Sequence, residues 1–316
     1  LKRLLLIAAF ALGVGLFAAS TAAAGTQSGV RVVEAKGPAF PVRTYVLSLP
    51  NARRLTLRNV SVTENGASVV NPTLVPASRA SKRTFGVVLV LDTSYSMFGK
   101  PVAAAVAAEQ AFVAQRNPNE QLGIIEFNSQ TKKALGLTTS SERIAAALAK
   151  PPKIARGTHT FDAVAQAEAM LTAAHISSGS IVVLSDGQQH GPTTHTLAGI
   201  AKTALSAHMR IYTIGLADKY YKPGTLKALA AAGHGEYTQA KAQALAALFD
   251  QLSRQISSEY LLQYKSLAGP NKEIHVQVQI QGMPGTASVP YRTPALSTSA
   301  PPKPAPYKPS IGSRIW

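Results

Sequence analysis

Cysteine is absent from this chain of 316 residues. No disulfide can staple the fold, no thiolate can hold a soft metal, and no cysteine can serve as a nucleophile. Acidic residues are the second shortage, with 15 Asp and Glu against 32 Lys and Arg and a formal charge of +17. Such a field favours anionic partners, among them acidic proteins and anionic envelope surfaces of teichoic acid or phospholipid. The bases are scattered, though, with no run of five or more and no interleaved aromatics. No nucleic-acid-binding motif accompanies them, so nucleic acid is not an expected partner. Catalytic signatures are also missing. The sequence holds no G-x-S-x-G elbow, and no D-x-D pair of the kind that metal-dependent phosphoryl transfer wants.

What is present begins with an export signal. Lys2 and Arg3 precede an apolar run from Leu4 to Ala19, and Thr21 to Ala24 offer small residues for cleavage. This is the layout of a signal peptide over residues 1–24. The rival reading is an uncleaved membrane anchor, because the run approaches the roughly 20 residues that span a bilayer. Gly13 and Gly15 interrupt it and favour cleavage. Either way the rest of the chain is expected outside the cytoplasm, extracellular or in the cell envelope.

Three zones follow. Residues 26–83 read as β-structure, with a strand over Leu55–Val62, a turn at Glu64-Asn65-Gly66, and Pro72 and Pro76 breaking the pattern. Residues 84–258 alternate strands and helices. Val87 to Leu91 and Ile181 to Leu184 are continuous apolar runs, as in strands buried on both faces. A long amphipathic helix is expected over Lys241–Ile256. This alternation predicts an α/β fold with a doubly wound, mostly parallel sheet. Residues 259–292 return to β-structure, with Ile274, Val276, Val278 and Ile280 alternating with polar residues. They are expected to pair with the N-terminal β-segment in a small flanking β-sandwich. Residues 293–316 form a Pro-rich linker whose abrupt end at Trp316 implies that something once followed.

The chemistry lies at strand ends. Asp92-Thr-Ser94-Tyr-Ser96 follows the first buried strand, where ligands bind in open α/β sheets. Its hard oxygen donors suit Mg²⁺, Mn²⁺ or Ca²⁺ better than zinc. Asp and Ser are equally good helix caps, so this loop alone leaves both readings open. Two further segments bear on the choice. Ser185-Asp186-Gly187 ends another buried strand, and Gly157-Thr158-His159-Thr160 opens a helix.

The order D-x-S-x-S, G-T-x-T, S-D-G closely resembles the von Willebrand factor A family over about residues 84–258. The resemblance implies a Rossmann-like fold with a metal-ion-dependent adhesion site. Ser94 and Ser96 would ligate the metal directly, Thr158 directly or through water, and Asp92 and Asp186 mainly through water. The cofactor implied is a divalent cation, Mg²⁺ or alternatively Mn²⁺ or Ca²⁺. Its incomplete coordination would accept an Asp or Glu carboxylate from a protein partner. The implied role is therefore adhesion or assembly rather than catalysis. A structural part of a membrane or secretion assembly is the alternative, and a metal-dependent phosphotransferase or hydrolase ranks last. The flanking β-segments also resemble exported bacterial relatives that continue into a membrane domain similar to the F family of type II secretion.

Other residues read more plainly. His190 and His195 lack a third partner for a second metal. His159 is expected to face solvent, Asp162 to serve the start of its helix electrostatically, and Tyr95 and Phe98 to form the rim of the metal loop.

Overall fold

The computed structural model describes residues 29–50, 53–187, 189–217 and 221–295. The expected leader over 1–24 and most of the expected tail over 293–316 lie outside the described residues.

The first five strands are β1 (Arg31–Glu34), β2 (Val42–Ser48), β3 (Val60–Glu64), β4 (Ala67–Ser68) and β5 (Val70–Pro76). Two expectations need correction here. The strand expected from Leu55 begins only at Val60, because Leu57–Asn59 form a 3-10 turn. The Asn59 side chain accepts from the Thr56 amide at 2.8 Å, and such a local bond diverts backbone from a ladder. Conversely, Pro72 does not interrupt β5, which ends at Pro76. That strand lies at the edge of its sheet, where a missing N–H is tolerated. The ladder slips beside Pro72, where Thr73 pairs with Gln263 and Val70 with Lys265.

The α/β unit follows: β6 (Phe85–Asp92), α1 (Lys100–Gln115), β7 (Gln121–Phe127), β8 (Thr131–Thr138), α2 (Ser141–Leu148) and α3 (Thr160–Ala173). It continues with β9 (Ser178–Ser185), α4 (Leu197–Ser206), β10 (Met209–Leu216), α5 (Gly224–Ala232), β11 (Tyr237–Ala240) and α6 (Leu245–Ser257). The six strands run in the order β11-β10-β9-β6-β7-β8. Only β8 is antiparallel to its neighbour. Every residue of β6 is buried, and its alternating side chains feed two separate cores. Val87, Leu89 and Leu91 join α1 and α6 on one face, while Val88 and Val90 join α3, α4 and α5 on the other. A sheet covered on both faces needs such unbroken apolar strands. α6 presents Leu245, Phe249, Leu252 and Ile256 as one apolar stripe. A short 3-10 turn at Ala242–Ala244 precedes it, so the helix starts later than the expected Lys241.

The chain closes with β12 (Tyr260–Lys265), β13 (Glu273–Ile280) and β14 (Ala287–Arg292). β12 inserts between β2 and β5, and β13 lies between β14 and β3. The two four-stranded sheets share one core, built from residues such as Tyr45, Leu47 and Leu262 on one side and Val62, Val276 and Val278 on the other. The molecule is thus a doubly wound α/β sheet with a β-sandwich at its flank.

A buried ion pair joins the two parts. Arg210 of β10 and Glu259, just after α6, form a salt bridge at 1% and 0% exposure. Arg210 also donates to Ser48 of β2 at 2.8 Å, and Ser48 donates to Glu259 at 2.6 Å.

Candidate metal centre

β6 and β9 lie side by side and parallel, with Leu91 level with Leu184. The connection leaving β6 runs to α1 on one face of the sheet, and that leaving β9 runs to α4 on the other. Between them opens the crevice in which α/β sheets bind ligands. Asp92 and Ser185 end the two strands there.

The Asp92 carboxylate organises the crevice. One oxygen accepts from the Ser94 amide at 2.8 Å, which curls the loop back on itself. The other accepts from the Ser185 hydroxyl at 2.5 Å, tying the two strand ends together. Ser185 in turn accepts from the Gly187 amide at 2.9 Å. The curl brings the Ser94 and Ser96 hydroxyls to 3.0 Å from one another. Tyr95, between them, points outward at 59% exposure, and Phe98 at 74%.

The Thr158 loop is held against this group by backbone. Ala155 donates to the Thr93 carbonyl at 3.1 Å, Ser129 to Arg156 at 2.8 Å, and His159 to Asn128 at 2.8 Å. Thr158 and His190 exchange two bonds of 3.0 Å each, so the third loop is docked as well. Two glycines are required for these approaches. Gly157 has φ +85°, and a Cβ there would stand 2.8–3.0 Å from Ser129. Gly187 has φ +109°, and its Cβ would collide with the Lys222 carbonyl oxygen at 2.2 Å. Asp92, Ser94, Ser96, Thr158 and Asp186 therefore gather at one end of the sheet. All but Ser96 are buried, and Ser96 is half-buried.

Electrostatics single out Asp92. Burial pushes its carboxyl up to about 7, and the nearby Asp186 charge pushes the same way, against hydrogen bonds from Ser185 and Ser94. No cationic side chain is among the largest influences on it, and none forms an ion pair with it among the described residues. A bound divalent cation would invert this balance and favour the ionised form of both carboxylates. The donors fit such an ion. At metal–oxygen distances of about 2.1 Å, adjacent ligands of an octahedral Mg²⁺ stand about 3.0 Å apart, the spacing of the Ser94 and Ser96 oxygens. Hydroxyls and carboxylates without nitrogen or sulfur are also the set hard cations prefer.

Neighbouring residues partly depart from expectation. His159 does not face solvent: its side chain is 16% exposed. Its Nε2 fills the space above Gly191, 2.5 Å from where a Cβ would stand. Asp162 sits in the first turn of α3 and also gathers a loop. It accepts from Thr193 Oγ1, the Thr194 amide and hydroxyl, and the His195 amide at 2.8–3.1 Å, and it meets His195 Nδ1 at 2.7 Å. Those hydrogen bonds outweigh its burial and hold its carboxyl down at about 2. No group of three or more His, Cys, Asp or Glu suited to a metal occurs among the described residues. Ser185, Thr93 and Asn128 also support the site, a role their residue types alone do not announce. A polar residue closing a buried apolar strand was the available signal for Ser185.

A family model for the von Willebrand factor type A domain matches residues 87–189. Among solved structures, the chain is similar to a von Willebrand factor type A protein from Catenulispora acidiphila. The identity is 13% over 86% of this chain and 71% of that one, with a TM-score of 0.51. It is similar to proximal thread matrix protein 1 from the mussel byssus, solved with a zinc-occupied MIDAS motif. Here the identity is 15% over 63% of this chain and 50% of that one, with a TM-score of 0.50. An aerotolerance-related membrane protein from Bacteroides fragilis NCTC 9343 matches at 20% identity over 54% of this chain and 98% of that one, with a TM-score of 0.45. No curated protein matches the chain.

Proposed function

We propose that this chain, which carries a von Willebrand factor type A domain, is a metal-ion-dependent protein-binding module of an exported envelope protein. Ser94, Ser96 and Thr158 hold a divalent cation at the end of β6, with Asp92 and Asp186 supplying the balancing negative charge. When bound, the cation supplies a concentrated positive charge that an Asp or Glu carboxylate of a protein partner can ligate. Mg²⁺ suits the site first, with Mn²⁺ and Ca²⁺ as alternatives. The role of the chain's own residues is positional. Asp92 sets the curl of the serine loop and, through Ser185, its height above β9. The backbone bonds of Ala155 and Thr158 fix the third donor loop.

The observation that carries this reading is the Asp92 carboxylate, buried with hydroxyl and amide partners beside two converging serine hydroxyls. Binding rather than catalysis is the reading in keeping with the sequence, which lacks the D-x-D pair of metal-dependent phosphoryl transfer. The export assignment rests on the leader-like residues 1–24. No helix of the described residues is long and apolar enough to cross a membrane.

Thermal unfolding with Mg²⁺, Mn²⁺, Ca²⁺ or a chelator, on wild type and Asp92→Ala, tests the reading. At 100 times Kd a ligand of the native state adds about 2.7 kcal/mol. A rise in Tm confined to the wild type is expected. Identical behaviour of the two proteins would remove the metal from the account.

A further inference from the structure

The surroundings of the metal loop are cationic and aromatic, and three separate segments contribute. Arg156 places its guanidinium 5.9 Å from the Tyr95 ring centre, directly beside the serine loop. Lys153 belongs to the same connection, where its carbonyl accepts from Asn128 at 3.2 Å. Lys222 donates its amide to the Asp186 carbonyl at 2.9 Å and closes over Gly187. Lys100 opens α1, two residues beyond Phe98. All four side chains are exposed. None forms an ion pair among the described residues. Within the described parts of the connections 93–99, 149–159, 186–196 and 217–223, the one carboxylate is Asp186, and it is buried.

A lone metal-ligating carboxylate would need none of this. Among the described residues these four cations have no carboxylate partner, and only Arg156 has a ring contact, with Tyr95. Each becomes favourable when a partner brings opposite charge, because complementary rim charges speed encounter and fix register. Tyr95 and Phe98 are the other half of the pattern. They are two of the six large apolar side chains left exposed among the described residues. Exposed aromatics beside an arginine are the residue types that anchor protein interfaces. Phosphate polymers would satisfy the cations and leave these rings uncovered.

We propose that the site selects an acidic polypeptide segment rather than an isolated carboxylate. One Asp or Glu ligates the metal, flanking acidic residues meet Lys100, Lys153, Arg156 and Lys222, and an apolar side chain packs on Tyr95 and Phe98. This rests on the metal reading above and adds the chemistry of the partner to it.

The test uses three fluorescent or competing probes with Mg²⁺ present. One is a short Gly/Ser peptide with a single Asp. The second is the same peptide with flanking Glu residues and a Leu, and the third is inorganic polyphosphate. The acidic apolar peptide should bind about tenfold tighter than the single-Asp peptide, the gain expected from a few exposed ion pairs. Its affinity should weaken steeply with added salt. Lys153→Glu/Arg156→Glu should erase most of that gain while leaving the Mg²⁺-dependent rise in Tm intact. Lys100→Glu/Lys222→Glu provides a second variant should the first fail to fold. Equal affinity for the two peptides would overturn the proposal, as would metal-independent binding of polyphosphate as tight as that of the acidic peptide. If Mg²⁺ leaves wild-type Tm unchanged, the metal reading itself falls. Loss of the peptide preference alone overturns only this extension of it.

Discussion

Asp92 and Glu259 are both carboxylates with no exposed surface, yet the fold treats them in opposite ways. Glu259 meets the guanidinium of Arg210, and the two share Ser48 as a common neighbour. Asp92 meets two hydrogen-bond donors, the Ser185 hydroxyl and the Ser94 amide, and forms no ion pair among the described residues. The first site is complete within the chain and welds the α/β sheet to the sandwich. The second has its donors assembled and its charge uncompensated. The carboxylate with an internal cation is a structural tie, and the one beside the serine loop is, in the proposed reading, a receptor for a cation from outside.

The largest effect should come from breaking the tie. Arg210→Met leaves Glu259 buried and uncompensated, which costs about 3–5 kcal/mol. Chemical denaturation should show this, with much of the loss recovered in Arg210→Met/Glu259→Leu. Asp92→Asn should behave differently. It retains an acceptor for the Ser94 amide and removes a charge that burial opposes, so metal-free stability should change by less than about 1 kcal/mol, while the Mg²⁺ response disappears. If Asp92→Asn unfolds the protein as readily as Arg210→Met, the two carboxylates are of one kind and the contrast fails.

A third buried carboxylate sharpens the comparison. Glu109 of α1 has a buried oxygen without a hydrogen-bond partner, and burial pushes it up to about 8, from an ordinary value of 4.5. The native state therefore holds its proton more tightly than the unfolded chain. Its contribution is full below about pH 4.5 and declines as pH rises towards 8. Melts across that range should show stability falling with pH, and Glu109→Gln should flatten part of the fall. The smallest effect belongs to the docked loop. His195→Ala removes one contact to Asp162 from a half-exposed position, and exposed pairs contribute about 0.2–1 kcal/mol. A shift in Tm of one or two degrees is expected. Because Asp162 is held down at about 2, its contribution persists above its ordinary value of 3.8 and is lost only under strong acid.

The parts of the molecule legible in the sequence are those in which burial is written locally. β6 and β9 read as apolar runs ending in Asp92 and Asp186 because both faces of the sheet are covered. The serine loop and the Gly157 loop announced themselves by residue type. The remainder depends on register between distant segments. Arg210, Glu259 and Ser48 are separated by up to 211 positions, and no periodicity brings them together. Ser185 is legible only as part of a strand end, and the parallel register of β6 and β9 is what sets its hydroxyl against Asp92. β5 looked broken at Pro72, since edge position, which spares a proline its missing bond, is a property of the sheet. His159 looked exposed because Gly191 leaves it room to fold inward.

Ser94 and Ser96 are the proposed anchors of the cation, and Mn²⁺ tests them directly through its paramagnetic resonance. Titration of wild type should show one bound ion per chain, displaced by Mg²⁺, and Ser94→Ala/Ser96→Ala should show none while keeping its Tm in chelator. An equal population of bound Mn²⁺ in the two proteins, or none in wild type, would contradict that assignment.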